Sequence, residues 1–350
     1  MKAKLKATAL AATRRGGLMR LARRLTGRRL RILCYHGIAL ADEHRFRGGL
    51  FMHPDTFAER MRWLKAADYP VLPLGEALER LGAGTLPRGA TVLTFDDGWK
   101  GTYRHAFPVL HELGFPATLY VTSYYAVKQT QVFNVTTRYL FWRAERDRLD
   151  LAAVDPYLRG EADLRGAMAR DEAADRVIRF GREHYDAPGR QALLRRLGEA
   201  LGIDVPALEE QGVFRLVSGE EVAAAASDGI DIQLHSHRHN LAPFDRQTLT
   251  REIEDNRAAL AAWIPKRLEH FCYPGGLYER SLWPTLQALG ITSATTCITG
   301  LNTARTSRLE LRRLLDDENL TLDDIEAEMS GLQDLRRGLV GALRRGGAAT

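Results

Sequence analysis

The chain has 350 residues, enough for one large α/β domain or for a medium domain carrying an insertion. Hydrophobic residues make up 45% and charged residues 27%, the balance of an ordinary soluble globular protein, and no apolar run approaches the roughly 20 residues that span a bilayer. The net charge of +6 sits at the ends: residues 1–31 and the last fifteen hold fifteen of the 50 Lys/Arg and no acid, so 35 cations face 44 acids elsewhere, and a body at −9 excludes nucleic acid as a partner.

The first segment, residues 1–29, reads as a basic leader. Its uncharged stretch, residues 7–13, is too short and too weakly apolar for the core of a secretion signal. Leu18, Leu21, Ala22 and Leu25 fall on one helical face, with Arg20, Arg23, Arg24 and Arg28 elsewhere. That pattern fits an amphipathic helix in peripheral contact with an anionic membrane, and it equally fits a solvated basic tail.

Residues 30–35 (LRILCY) then predict a short buried strand ending at His36-Gly37. Residues 55–67 predict a helix, with Asp55 as its N-cap and Phe57, Met61 and Leu64 on one face. A short strand is expected at 71–74 and a helix at 75–82. Residues 90–95 (ATVLTF) form a near-continuous apolar run, as in a parallel strand buried on both faces. A helix with Phe107, Leu110 and Leu113 ends at Gly114, and a strand follows at 117–122. This alternation marks a parallel α/β fold. It breaks from about 128 to 214, where the pattern is charged and helical without a clear strand and predicts a helical insertion. It resumes with a helix at 219–227, strands at 230–234 and 271–273 around a helix at 246–262, and further elements to about 330. A basic tail, 331–350, closes the chain.

Three segments that follow predicted strands carry chemistry, and strand ends are where parallel α/β folds place their sites. The first is Thr94-Phe95-Asp96-Asp97-Gly98. Two adjacent carboxylates at the end of a buried strand are costly unless compensated, and their repulsion is expected to raise one pKa. A bound cation resolves this if one carboxylate binds it and the other serves as a base; an Asp-Gly turn is the plainer alternative. The second is His235-Ser236-His237-Arg238-His239, where two imidazoles four apart can converge on one ion, or simply form a polar loop; His237 is assigned to the loop. The third is Phe271-Cys272-Tyr273-Pro274-Gly275-Gly276, a tight turn whose N–H groups can face a ligand. The three cysteines, Cys34, Cys272 and Cys297, are odd in number and include no Cys-x-x-Cys, which argues against a disulfide framework and for a reducing compartment, the cytoplasm.

Together these segments resemble the polysaccharide deacetylase (NodB-homology, family-four carbohydrate esterase) family. Thr-Phe-Asp-Asp-Gly at 94–98 matches its first motif in full, and His235, Ser236 and His239 match its second. Residues 272–275 match its third in part, and the Tyr35-His36 segment and residues 107–118 are also similar. The resemblance covers roughly 30–125 and 216–330 of a domain spanning 30–330. It implies a distorted (β/α) barrel, often of seven strands, and a divalent metal, usually zinc, on Asp97, His235 and His239. It makes Asp96 the general base in removal of acetyl groups from an amino-sugar-containing glycan, with backbone near Gly275 stabilising the oxyanion. Tyr273 and Pro274 are further candidates for substrate contact. Two departures stand out. Cys272 occupies the place of an Arg that pairs with the catalytic Asp in many members, and Arg313 is a candidate to supply that charge. No His follows His270, so the usual late acid is missing; Asp316 stands near its place, and His36 is a candidate to protonate the leaving amine. A catalytically impaired glycan-binding protein and an O-acetyl esterase are the alternatives. A cytoplasmic enzyme at the inner membrane face implies a lipid-linked or nucleotide-linked sugar precursor as substrate.

Overall fold

The computed structural model describes residue 13 and residues 17–346. The lysine-bearing start of the leader and the end of the basic tail, residues 347–350, lie outside the described residues. Seven parallel strands close into a barrel. They are β1 (Arg31–Tyr35), β4 (Thr91–Phe95), β5 (Thr118–Val121), β8 (Asp231–Leu234), β9 (His270–Cys272), β10 (Ser293–Thr299) and β11 (Leu311–Leu315). Their order around the barrel is β1-β11-β10-β9-β8-β5-β4, and β1 closes it by pairing with both β4 and β11. The strands are short and almost entirely buried, as the apolar runs predict for strands packed between a filled interior and covering helices. Two-residue strands β2 (Gly37–Ile38) and β3 (Phe51–Met52) pair beside the barrel mouth.

The helices expected between strands are present at Pro54–Ala66, Leu74–Ala83, Phe107–Leu113, Gly219–Ser227 and Arg246–Ala261. Gly114, at φ 68°, ends the third of them in the left-handed conformation that glycine adopts without strain. Several local expectations are corrected. The cap of the helix Pro54–Ala66 is His53, whose Nδ1 accepts from the Asp55 N–H at 3.2 Å, because Pro54 fills the first helical position and puts the cap two residues before Asp55. Residues 71–74 form no strand: Val71 makes one bridge to Thr91, and Leu74 already starts a helix.

Between β5 and β8 the chain builds a set of helices, chiefly Phe133–Arg143, Ala167–His184 and Ala187–Leu201. It also contains an antiparallel ribbon, β6 (Arg148–Asp150) with β7 (Glu161–Asp163), where no strand was expected. Three residues with one buried position each are too few for a period of two to show in the sequence.

At the end of the barrel where the strands start, the helix Leu18–Leu25 leads into β1 and meets the turn between the helices Leu322–Met329 and Leu332–Gly346. Thr26 Oγ1 lies 3.1 Å from the Ser330 carbonyl, and the buried Arg31 guanidinium donates to the Met329 carbonyl and to Thr26 Oγ1. Burial lowers the Arg31 pKa to about 10. No helix among the described residues is long and apolar enough to cross a membrane.

Candidate active site

β4 ends at Phe95, so Asp96 and Asp97 emerge at the opposite end of the barrel, where the strands finish. The Asp96 N–H donates to the Tyr35 carbonyl across the β1–β4 pair at 2.9 Å. Asp97 then takes φ 69° and Gly98 φ 89°, a left-handed turn that sends the two neighbouring carboxylates to different partners.

Asp96 is fully enclosed and faces Arg313. Nη1 of Arg313 is 2.7 Å from Asp96 Oδ1 and Nη2 is 2.8 Å from Oδ2, a two-pronged pair. Arg313 lies on β11 with no exposed surface, and its Nε donates to the Thr296 carbonyl at 2.9 Å. Cys272 Sγ, at the position where an Arg was expected, sits 3.4 Å from Asp96 Oδ2 and 3.3 Å from Arg313 Nη2. The guanidinium thus reaches Asp96 from another strand, and the thiol fills the room beside it. His36, after β1, places Nε2 at 3.7 Å from Asp96 Oδ2 and remains partly exposed.

Asp97 faces the histidines. Its Oδ1 is 3.2 Å from His235 Nε2 and 3.3 Å from His239 Nε2. Its Oδ2 accepts from the Trp99 indole N–H at 2.8 Å. The loop after β8 converges because Ser236 and His239 both adopt positive φ, 60° and 56°. His235 is buried, with Nδ1 2.8 Å from the Cys272 carbonyl, a contact that leaves Nε2 as the free lone pair when Nδ1 carries the proton. His239 is 43% exposed, so the cluster is open on one side. One carboxylate oxygen and two imidazole nitrogens within 4.8 Å of one another, with an open side, fit a divalent cation of the zinc type. His237 turns away, with Nδ1 2.8 Å from Ser123 Oγ.

The mutual repulsion expected to raise one aspartate does not prevail. Burial raises the pKa of each, but Arg313 outweighs it at Asp96 and the two histidines outweigh it at Asp97, so both lie well below the usual carboxylate range. Separate counter-charges replace the shared proton that two close carboxylates otherwise need.

The third segment is placed differently from its expectation. The Tyr273 hydroxyl donates to the Leu309 carbonyl at 3.0 Å and its ring stacks on Tyr278, so it packs the wall and does not reach the carboxylates. Pro274 is buried in a short turn. Gly275, at φ 60°, is exposed and a side chain there would meet only Leu277, at 4.0 Å, whereas a side chain on Gly276 would collide with Cys297. Asp316 lies beside the barrel wall: Tyr35 donates to it at 2.9 Å, Arg60 Nε is 3.5 Å away, and burial raises its pKa to about 6.

Two supports escaped the sequence reading. Trp99 follows the first motif directly and holds Asp97. Asn256, on the helix Arg246–Ala261, accepts from the His235 N–H at 3.0 Å and donates to the Val121 carbonyl and to Ser123 Oγ. A signal for it existed, since Leu249, Ile253 and Leu260 mark a buried face on which Asn256 is a polar member.

A cleft of about 650 Å³ opens over Asp97, Trp99 and His239. The segment between β5 and β8 supplies part of its wall through Val132, Val135 and Arg182.

A closed barrel with paired carboxylates and histidines at its strand ends defines a candidate metal-binding site. The family model described as polysaccharide deacetylase matches residues 83–148 and 204–294, so the chain is similar to that family over both segments that carry the first two motifs. YxkH of Bacillus subtilis (strain 168), which carries the name polysaccharide deacetylase, is 34% identical over 94 residues, 27% of this chain and 32% of that protein. The poly-beta-1,6-N-acetyl-D-glucosamine N-deacetylase of Escherichia coli K12 is 32% identical over 78 residues, 22% of this chain and 11% of that protein. The chain therefore matches no more than about a third of the length of these relatives. Among solved structures, the Streptococcus pyogenes deacetylase PplD superposes with a TM-score of 0.57 at 18% identity, covering 86% of this chain and 98% of that one. IcaB from Ammonifex degensii gives 0.53 at 17%, covering 86% and 97%. At these identities the likeness is one of fold.

Proposed function

We propose that this protein is a metal-dependent hydrolase that removes the acetyl group from the nitrogen of an amino sugar in a glycan or its precursor. The observation that carries the reading is the division of labour between neighbouring carboxylates: Asp96 is fixed by Arg313, and Asp97 shares its free oxygen with His235 and His239. A divalent cation on Asp97, His235 and His239, zinc by the chemistry of the donors, would supply Lewis acidity to water and to the acyl oxygen. Asp96, ionised and held in one orientation, takes a proton from the attacking water. The water oxygen bonds to the acetyl carbon, the carbon–nitrogen bond breaks, and acetate departs. His36, 3.7 Å from Asp96 and partly exposed, would give the amine its proton. The exposed backbone at Gly275 is a further candidate for contact with the acyl oxygen.

The substrate class follows the relatives, one of which is named for N-deacetylation of a poly-N-acetylglucosamine. A surface polysaccharide, or its lipid-linked or nucleotide-linked precursor, is the proposed substrate. Placement in the cytoplasm, at the inner membrane face, belongs to the same proposal, supported by three free thiols of which two lie against Asp96.

Acetate release from N-acetylated and O-acetylated oligosaccharides tests this. The wild type with zinc is expected to release acetate from the N-acetylated set, to lose activity on chelation, and to regain it on zinc addition. Asp96→Asn should bind zinc and release none. Release only from O-acetyl esters would make the protein an esterase. A zinc-loaded, folded wild type that binds these glycans without turnover would make it a binding protein.

A further inference from the structure

We propose that the two helices at the base of the barrel form a docking platform for an anionic lipid bilayer. The helix Leu18–Leu25 buries only Met19 and Ala22; Leu18, Leu21 and Leu25 are 49%, 52% and 65% exposed. Beside it, the helix Leu332–Gly346 exposes Leu339 at 68% and Val340 at 44%. Half of the large hydrophobic side chains exposed among the described residues therefore sit on this one patch. Between the helices runs a groove of about 650 Å³ whose walls are leucines 18, 21, 25, 332, 335 and 339. Such a concentration of exposed apolar surface marks a contact site.

Charge selects the occupant. Arg336 lines the groove, and it and the exposed Arg20, Arg24 and Arg28 make no ion pair among the described residues, whereas Arg29 is paired to Asp334 and Arg337 to Glu328. Arg20 and Arg24 lie one turn apart, flanking the leucine face. Leucines rimmed by unpaired arginines suit acyl chains beneath anionic head groups. A second copy docking on the same patch would bring these arginines against their equivalents, which opposes self-association.

The platform lies where the strands begin, and Asp96 and Asp97 lie where they finish. Docking therefore holds the cleft on the far side of the barrel from the bilayer. Among the proposed substrates this favours a soluble or long-chain glycan over a sugar bonded next to a head group.

The test is co-flotation of the full chain with phosphatidylcholine vesicles, with and without phosphatidylglycerol, at low and high salt. Binding is expected only with phosphatidylglycerol, and salt should weaken it. Arg20→Gln with Arg24→Gln should weaken it roughly 25-fold, each arginine near an anionic surface being worth about fivefold. Leu21→Glu with Leu339→Glu should abolish it. Both pairs should keep the wild-type thermal midpoint, because these side chains are exposed, and binding is read without turnover, so the result stands whether or not acetate is released. The proposal is overturned if neither vesicle binds. It is overturned equally if the leucine variants turn a dimer into a monomer without changing flotation, or if removing residues 1–16 strengthens binding by uncovering the groove.

Discussion

Asp96 and Arg313 are a buried, two-pronged ion pair, so breaking it has a defined cost. Arg313→Ala leaves a carboxylate enclosed without its cation, and about 3–5 kcal/mol of stability should be lost in urea unfolding. Acetate release should fall by about a hundredfold or more, as the carboxylate loses its fixed orientation. Adding Cys272→Arg to that variant returns a guanidinium from the neighbouring side, 3.4 Å from Asp96 at the present sulfur, and should recover part of both losses. Failure of the double variant to recover either would show that the strand from which the charge comes matters as much as the charge. Asp316 gives a separate test by pH. Its pKa is raised by burial to about 6 from the ordinary 3.8, so between those values the folded state holds more protons than the unfolded one. Stability from this residue is present below about pH 4, falls as pH rises through the window, and is flat above about 6, a loss on the order of 3 kcal/mol. Asp316→Asn should lack that slope, so the difference between the two proteins' unfolding free energies should itself change by about that amount across this range.

The elements were legible to different depths. Strands such as β4 were readable because a fully buried strand is an uninterrupted apolar run, and the adjacent Asp96-Asp97 could be read because it follows one directly. The ribbon β6–β7 and the cap at His53 were not, since each depends on a few residues whose setting is decided by tertiary packing. Asn256 shows the limit most clearly. It shares no segment with His235, and only the packing of its helix against the loop after β8 brings its amide to the His235 N–H. Asn256→Ala should therefore lower zinc affinity about 10–100-fold in a chelator competition, while leaving Asp97 and both histidines in place. Unchanged affinity would mean that the positive-φ turn at Ser236 holds the loop by itself.

At the scale of the whole molecule, the barrel closes through its first strand. Leu33 of β1 pairs with Leu93 on one side and Leu314 on the other and is almost wholly buried, so Leu33→Ala should cost about 2–5 kcal/mol. The seam also joins the two strands that carry Asp96 and Arg313, so activity and barrel signal should disappear in one urea transition, and activity lost well before the barrel would count against this coupling.

The same seam has a consequence in time. Asp96 and Arg313 are 217 residues apart, and β11 is the last strand of the barrel. On the ribosome, a growing chain displays all three signature motifs while the cation that holds its base has yet to be synthesised. Each molecule acquires the Asp96–Arg313 pair only as this last stave arrives, so the base of a nascent chain is not held in place before β11 has been made.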